Sequence, residues 1–267
     1  NDSVAGVLQT SGVPDIDMSE CKVLNTTGHA WLSQQATGHG KLINAVAEDC
    51  GRGFHVYGID EDELLSTVTL VVNNMRTAGT TGSAGNLYYF EAVNRVEING
   101  GDITGDSGSG PNCYKCSSVH INGGTYYNIN RGPTVGKRTR HFVIQGTRSI
   151  NCTYAAIAPD MADAVGAADE YPESYGIITG NVGIDCGYAV RWQGDDGIIS
   201  NNYFLDCTSA DGIIRINADI DTGKPVLVTG NSIMGCGSLV AIRAGAETEV
   251  ILGVNHTDST SAVAYAS

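Results

Sequence analysis

The sequence predicts an all-β chain wound as a right-handed parallel β-helix of about nine to ten coils. Three observations carry this expectation: a ten-residue pattern that recurs along the chain, two columns within it, and a glycine-rich composition with little charge. The windows read KLINAVAEDC from Lys41, VVNNMRTAGT from Val71, EINGGDITGD from Glu97, HINGGTYYNI from His120 and VIQGTRSINC from Val143. IITGNVGIDC from Ile177, IISNNYFLDC from Ile198, LVTGNSIMGC from Leu227 and VILGVNHTDS from Val250 complete the set.

The second window position is always aliphatic, running from Leu42 and Val72 to Val228 and Ile251. The fourth is always Gly or Asn: Asn44, Asn74, Gly100, Gly123, Gly146, Gly180, Asn201, Gly230 and Gly253. A strand that buries an aliphatic and then bends sharply needs a residue tolerant of positive φ, and Gly and Asn are those residues. Window starts lie between 21 and 34 residues apart. Short strands at such a spacing without a helical period fit a solenoid; a leucine-rich repeat lacks its Leu/Asn spacing here, and a propeller blade needs about 40 residues.

The 267 residues are expected to form one domain: an irregular N-terminal coil or cap over 1–40, repeats over 41–267, and a loop insertion over 153–176. The net charge of −14 is the opposite of a general nucleic-acid binder's basic footprint. No apolar run reaches the roughly 18 residues of a membrane-spanning helix. The sequons at Asn25, Asn151 and Asn255 read as coincidence in an Asn- and Thr-rich chain.

Cys50, Cys152, Cys186, Cys207 and Cys236 all occupy the tenth window position, with Ser259 in the last. They read as a stacked column of buried thiols rather than disulfides or a metal cluster. The lone Cys113-x-x-Cys116 pair lacks the second pair of a zinc site, so no metal ligand set is assigned. The string GDSGSGP around Ser107 resembles a serine-protease nucleophile motif, but no His motif accompanies it and it falls between repeats.

The strand after each ladder position is the candidate working face. With a period of two, Phe54, Val56, Val190, Trp192, Ile214, Ile216, Val240 and Ile242 point inward. His55, Tyr57, Arg191, Gln193, Arg215, Asn217 and Arg243 then point outward, joined by Tyr89, Glu91, Tyr114 or Lys115, and some of Lys137, Arg138 and Arg140. In a chain with only 15 basic residues, this concentration suits a repetitive anionic ligand: Arg forks match carboxylates, and Tyr offers sugars an apolar face. The alternative is an ordinary solvated surface, with the Arg residues paired to Asp195, Asp196, Asp219 and Asp221.

Windows such as IITGNVGIDCGYAVRW and IISNNYFLDC, with an aliphatic, a Gly-Asn turn, an apolar residue and Asp-Cys, resemble the pectin-lyase-like β-helix superfamily over about residues 41–267. That resemblance implies an extracellular or virion-surface protein that binds, and as a lyase or glycoside hydrolase cleaves, a polysaccharide. Gly38-His39-Gly40 and Gln193-Gly194-Asp195-Asp196 resemble polygalacturonase signatures, but in reversed order, so that catalytic set is not carried over.

For a lyase, Arg191 and Arg215 would neutralise a uronate carboxylate, with Lys137, Arg138 or His55 as the base. For a hydrolase, two carboxylates would straddle the bond at roughly 5 to 9.5 Å, drawn from Asp160, Asp195, Asp196 and Asp219. Tyr57, Tyr89, Gln193, Asn217 and Arg243 would bind substrate. No cofactor is required, although the acidic insertion offers oxygen ligands for calcium. A tailspike or surface-fibre adhesin, or a structural rod, would use the same fold without chemistry. Open solenoid ends suggest a homotrimer or end-to-end assembly.

Overall fold

The structure, a computed structural model, describes residues 5–9, 15–36, 38–58, 69–80, 86–105, 108–136, 139–160, 175–193, 196–217, 225–236, 242–244, 250–258 and 263–265. Each coil lays down three strands in turn, one in each of three sheets. The first coil contributes Ala5–Gln9 to sheet A, Asp15–Ser19 to sheet B and Lys22–Leu24 to sheet C. Sheet A holds eleven strands and sheets B and C ten each, with every strand paired to its equivalents one coil before and after. All pairings are parallel, and no helix occurs among the described residues. The chain is a right-handed parallel β-helix.

The coiling starts earlier than the repeats suggest. Residues 1–40, expected as an irregular cap, already carry strands in register: Asp17 pairs with Lys41, and Lys22 with Val46. The insertion is also shorter than expected, because Ala155–Asp160 is a strand of sheet A and Tyr175–Thr179 a strand of sheet B.

The aliphatic column proves to be the inward face of sheet B. Leu42, Val72, Ile98, Ile121, Ile144, Ile178, Ile199 and Val228 pair in sequence and are buried. The last window is one residue out. Leu252 pairs with Val228, so Ile251 faces outward and is 47% exposed. The window starts one residue early: Val228 aligns with Leu252, Asn231 with Asn255 and Ser232 with His256, so the coil itself holds no extra residue.

The turn column has the predicted backbone. Asn44, Asn74, Gly100, Gly123, Gly146, Gly180, Asn201 and Gly230 all have φ between 49° and 71°. Gly253 lies opposite Thr229 rather than at the turn position, and does not adopt positive φ. A second such column lies between sheets C and A, where Asn25, Asp49, Asn151, Asp185 and Asp206 have φ of 51–54°. Asp in the Asp-Cys pairs is therefore a turn residue, since its short polar side chain tolerates the left-handed conformation.

Two stacks line the turns. Cys152, Cys186, Cys207 and Cys236 fall in four successive coils, buried and not bridged to one another, with Cys50 in the same turn of an earlier coil. Beside sheet B, the side chains of Asn181, Asn202, Asn231 and Asn255 form a continuous ladder. Each Oδ1 accepts from the backbone N–H above it, and each Nδ2 donates to a backbone carbonyl. The ladder satisfies groups that a turn through the interior would otherwise leave without partners.

Core volume is shared between neighbouring coils. Phe142, Gly176 and Gly197 succeed one another on the inward side of sheet B. A Cβ on Gly176 would lie 2.0 Å from the Phe142 ring, and one on Gly197 would lie 2.4 Å from the Trp192 ring. The two glycines make room for the two aromatic rings, whose centroids are 5.5 Å apart.

Candidate functional site

Period-two alternation on sheet A is as the sequence predicts where side chains are described. Phe54, Val56, Val190, Trp192, Ile214 and Ile216 are fully buried inward residues. Ile242 keeps their register, and Val240 lies outside the described residues. The outward side carries two columns. The first runs His55, Tyr89, Asn112, Thr134, Ala158, Arg191, Arg215, one residue per coil, and Arg243 continues its backbone register. The second runs Tyr57, Glu91, Tyr114, Gly136 and Gln193, with Asp160 and Asn217 in its backbone register.

The N-terminal part of this face is aromatic. Ring centroids of Tyr57 and Tyr89 are 5.4 Å apart, those of Tyr89 and Tyr114 5.5 Å, and those of His55 and Tyr89 5.5 Å. Tyr114 packs over Gly136, where a Cβ would meet its ring at 2.5 Å. Tyr89 is the register partner of His55, whereas Tyr57 and Tyr114 belong to the neighbouring column and meet Tyr89 diagonally from the coils before and after it. The Tyr89 hydroxyl donates to Glu91 Oε2 at 2.6 Å, and Lys115 Nζ lies 3.3 Å from Glu91 Oε1. Burial, followed by that bond to a carboxylate, raises the Tyr89 pKa and keeps the phenol protonated. Burial and the Glu91 charge likewise raise Tyr57.

His55 sits in the outward column but is only 3% exposed. The His29 ring meets it edge-on at 4.5 Å, and Tyr57 and Tyr89 flank it. Burial and the neighbouring Arg52 lower the His29 pKa, which favours neutral imidazole in this cluster. Five coil steps, about 24 Å, separate His55 from Arg191. His55 is therefore not brought together with the arginines as a base.

The C-terminal part is cationic. Arg191, Arg215 and Arg243 are register partners on successive coils, and Gln193 pairs with Asn217. Gln193 is buried, whereas Arg191 and Arg215 are partly exposed. The Arg131 and Arg191 guanidinium carbons lie 4.4 and 5.4 Å from the Tyr154 ring centroid, and the Tyr188 ring stands edge-on to it at 5.5 Å. Arg215 Nη1 donates to Asp211 Oδ2 at 2.8 Å and to the Tyr188 hydroxyl at 3.1 Å; that hydroxyl itself donates to Asp211 at 3.0 Å. Between the two parts the column falls to Asn112, Thr134 and Ala158, all buried.

Lys137, Arg138, Asp195 and Asp219 lie outside the described residues, as does Ser107. Asp196 belongs to sheet B, in register with Tyr175, and so is on a different face from Arg191. Asp160 keeps its sheet A register beside Gln193. Among the described residues no group of three or more His, Cys, Asp or Glu side chains is arranged to hold a metal ion.

Sequence reasoning passed over Tyr154, Tyr188, Arg131 and Asp211. A signal was present for two of them: Tyr154 and Tyr188 each follow a ladder cysteine, Cys152 and Cys186, by two residues. Comparison of the chain with family models, with curated proteins and with solved structures finds no match.

Proposed function

We propose that this chain is an extracellular or virion-surface protein of the pectin-lyase-like kind that binds an acidic polysaccharide along the outward face of sheet A. One observation carries the reading. A stack of tyrosine rings at steps of 5.4 and 5.5 Å shares its sheet face with an in-register row of arginines. Stacked phenols offer sugar rings apolar faces with polar edges, and guanidinium forks pair with carboxylates. A step of that size repeats at close to the length of one sugar unit in an extended chain.

Cleavage would fall at the cationic end. An Arg neutralises the uronate carboxylate and so acidifies the adjacent C–H. The proton passes to a base, the C–H electrons form the ring double bond, and the glycosidic oxygen leaves and takes up a proton from solvent. Tyr188, whose hydroxyl accepts from Arg215 and donates to Asp211, takes this proton as it passes its own to the Asp211 carboxylate. A second reading, adhesion without chemistry, is favoured by the engagement of Arg215 with Asp211, which ties the guanidinium to a carboxylate of the chain itself.

A panel of uronate polysaccharides tests both. Arg191→Ala combined with Arg215→Ala is expected to lower affinity at least tenfold, and Tyr89→Ala to weaken binding of longer chains most; unchanged binding in both variants overturns the groove. Absorbance at the unsaturated-product band marks elimination, which Tyr188→Phe should abolish while binding persists. Binding with neither that band nor new reducing ends leaves the adhesin.

A further inference from the structure

Sheets B and C change character along the axis. In the early coils their outward columns carry charges among apolar residues such as Val71 and Leu24: Asp17, Lys41 and Glu97 on sheet B, Lys22, Arg76 and Asp102 on sheet C. From Val143 onward the middle outward column of sheet B becomes an aliphatic ridge of Val143, Ile177, Ile198, Leu227 and Ile251, in register over five coils. A second ridge, Ile150, Ile184, Leu205 and Met234, runs along sheet C. These side chains are partly exposed, and Tyr203 beside them is 40% exposed. Among the described outward strand residues of both sheets from Tyr175 onward, Asp196 is the one Asp, Glu, Lys or Arg.

We infer that this face is where a second copy of the chain packs side by side with the first. Charge argues for it: copies carrying −14 each repel one another, and they approach at least cost where charge is missing. Period argues for it too. The ridge rises by about 4.8 Å per coil, so a partner that fills its gaps over five coils must present side chains at the same step, as another β-helix does. Side-chain size on the same surface fits such a partner. Thr179, Ser200 and Thr229, two positions beyond the ridge and in register with one another, have shorter side chains than the ridge and leave room beside it. The ridge of sheet B runs for about 24 Å over five coils, so a partner β-helix laid along it engages at every step.

The native mass in solution is the first test, by light scattering and sedimentation equilibrium over the micromolar range. The expected result is a multiple of the single-chain mass, whether two copies or a closed ring of three. Ile198→Glu with Leu227→Glu should lower it to one chain while leaving the circular dichroism spectrum and unfolding midpoint near those of the parent. Val71→Glu, in the same column but between Lys41 and Glu97, should leave the assembly intact. If the double variant does not fold, the milder Leu227→Gln should still weaken association at least tenfold. A parent protein of single-chain mass throughout, or ridge variants that keep the parent's mass, overturns the inference.

Discussion

Asn202 makes four side-chain hydrogen bonds in the interior. Its Oδ1 accepts from the backbone N–H and the Nδ2 of Asn181, while its Nδ2 donates to Ile178 O and Asn231 Oδ1. Asn202→Ala would strand these partners in a dry turn, where each buried unpaired group costs about 1–3 kcal/mol. A loss of about 3 kcal/mol or more is expected, read as a lower urea midpoint with an unchanged slope. Gly180 isolates a different term. Its φ is +65°, and a Cβ there would have nothing within 4 Å. Gly180→Ala should therefore cost only the left-handed backbone penalty of about 1–2 kcal/mol. Gly180→Asn should cost less, because Asn44, Asn74 and Asn201 already occupy the equivalent position. Equal losses for Ala and Asn would contradict that account.

At the scale of strands and turns, buried thiols and phenols set the response to alkali. Burial raises Cys113 and pushes Cys116 up to about 12, and it raises Tyr88 and Tyr126. In the unfolded chain thiols ionise near 8.5. Above that pH the unfolded state holds fewer protons than the folded one, so stability declines as pH rises. This contribution is complete below the unfolded value and is lost progressively toward the folded one. Denaturation midpoints measured from neutral pH to about 10 should fall, and Cys116→Ala should flatten the decline.

The same scale shows what the sequence made legible. Eight windows were readable because one buried aliphatic and one positive-φ residue recur together, and each has a local cause. The last window slipped because Val250, Ile251 and Leu252 are all apolar, so alternation cannot tell which two face inward. The outward face of sheet A was legible as a register, with Arg191, Arg215 and Arg243 aligned as predicted. Burial of His55 was not legible, since it depends on rings from His29, Tyr57 and Tyr89, which lie on three strands. Nor was the Tyr188–Asp211–Arg215 cluster, which joins neighbouring coils at a turn.

Over the whole molecule, two faces with opposite chemistry should answer salt in opposite ways. Screening weakens contacts between guanidinium groups and an anionic glycan, so affinity on sheet A should fall as salt rises. It also relieves repulsion between copies carrying −14, so association through the ridges of sheets B and C should strengthen. Glycan affinity and native mass measured along one salt series are expected to move in opposite directions; a parallel trend would mean that one face has been assigned the wrong chemistry.

The asparagine ladder also has a kinetic meaning. Side-chain amide protons ordinarily trade with solvent within moments, but those of Asn202 and Asn231 are buried and doubly held. They can be replaced by deuterium only when a coil parts from its neighbour. Their surviving signals in heavy water would time the fraying of the solenoid rung by rung, a clock written into the side chains rather than the backbone.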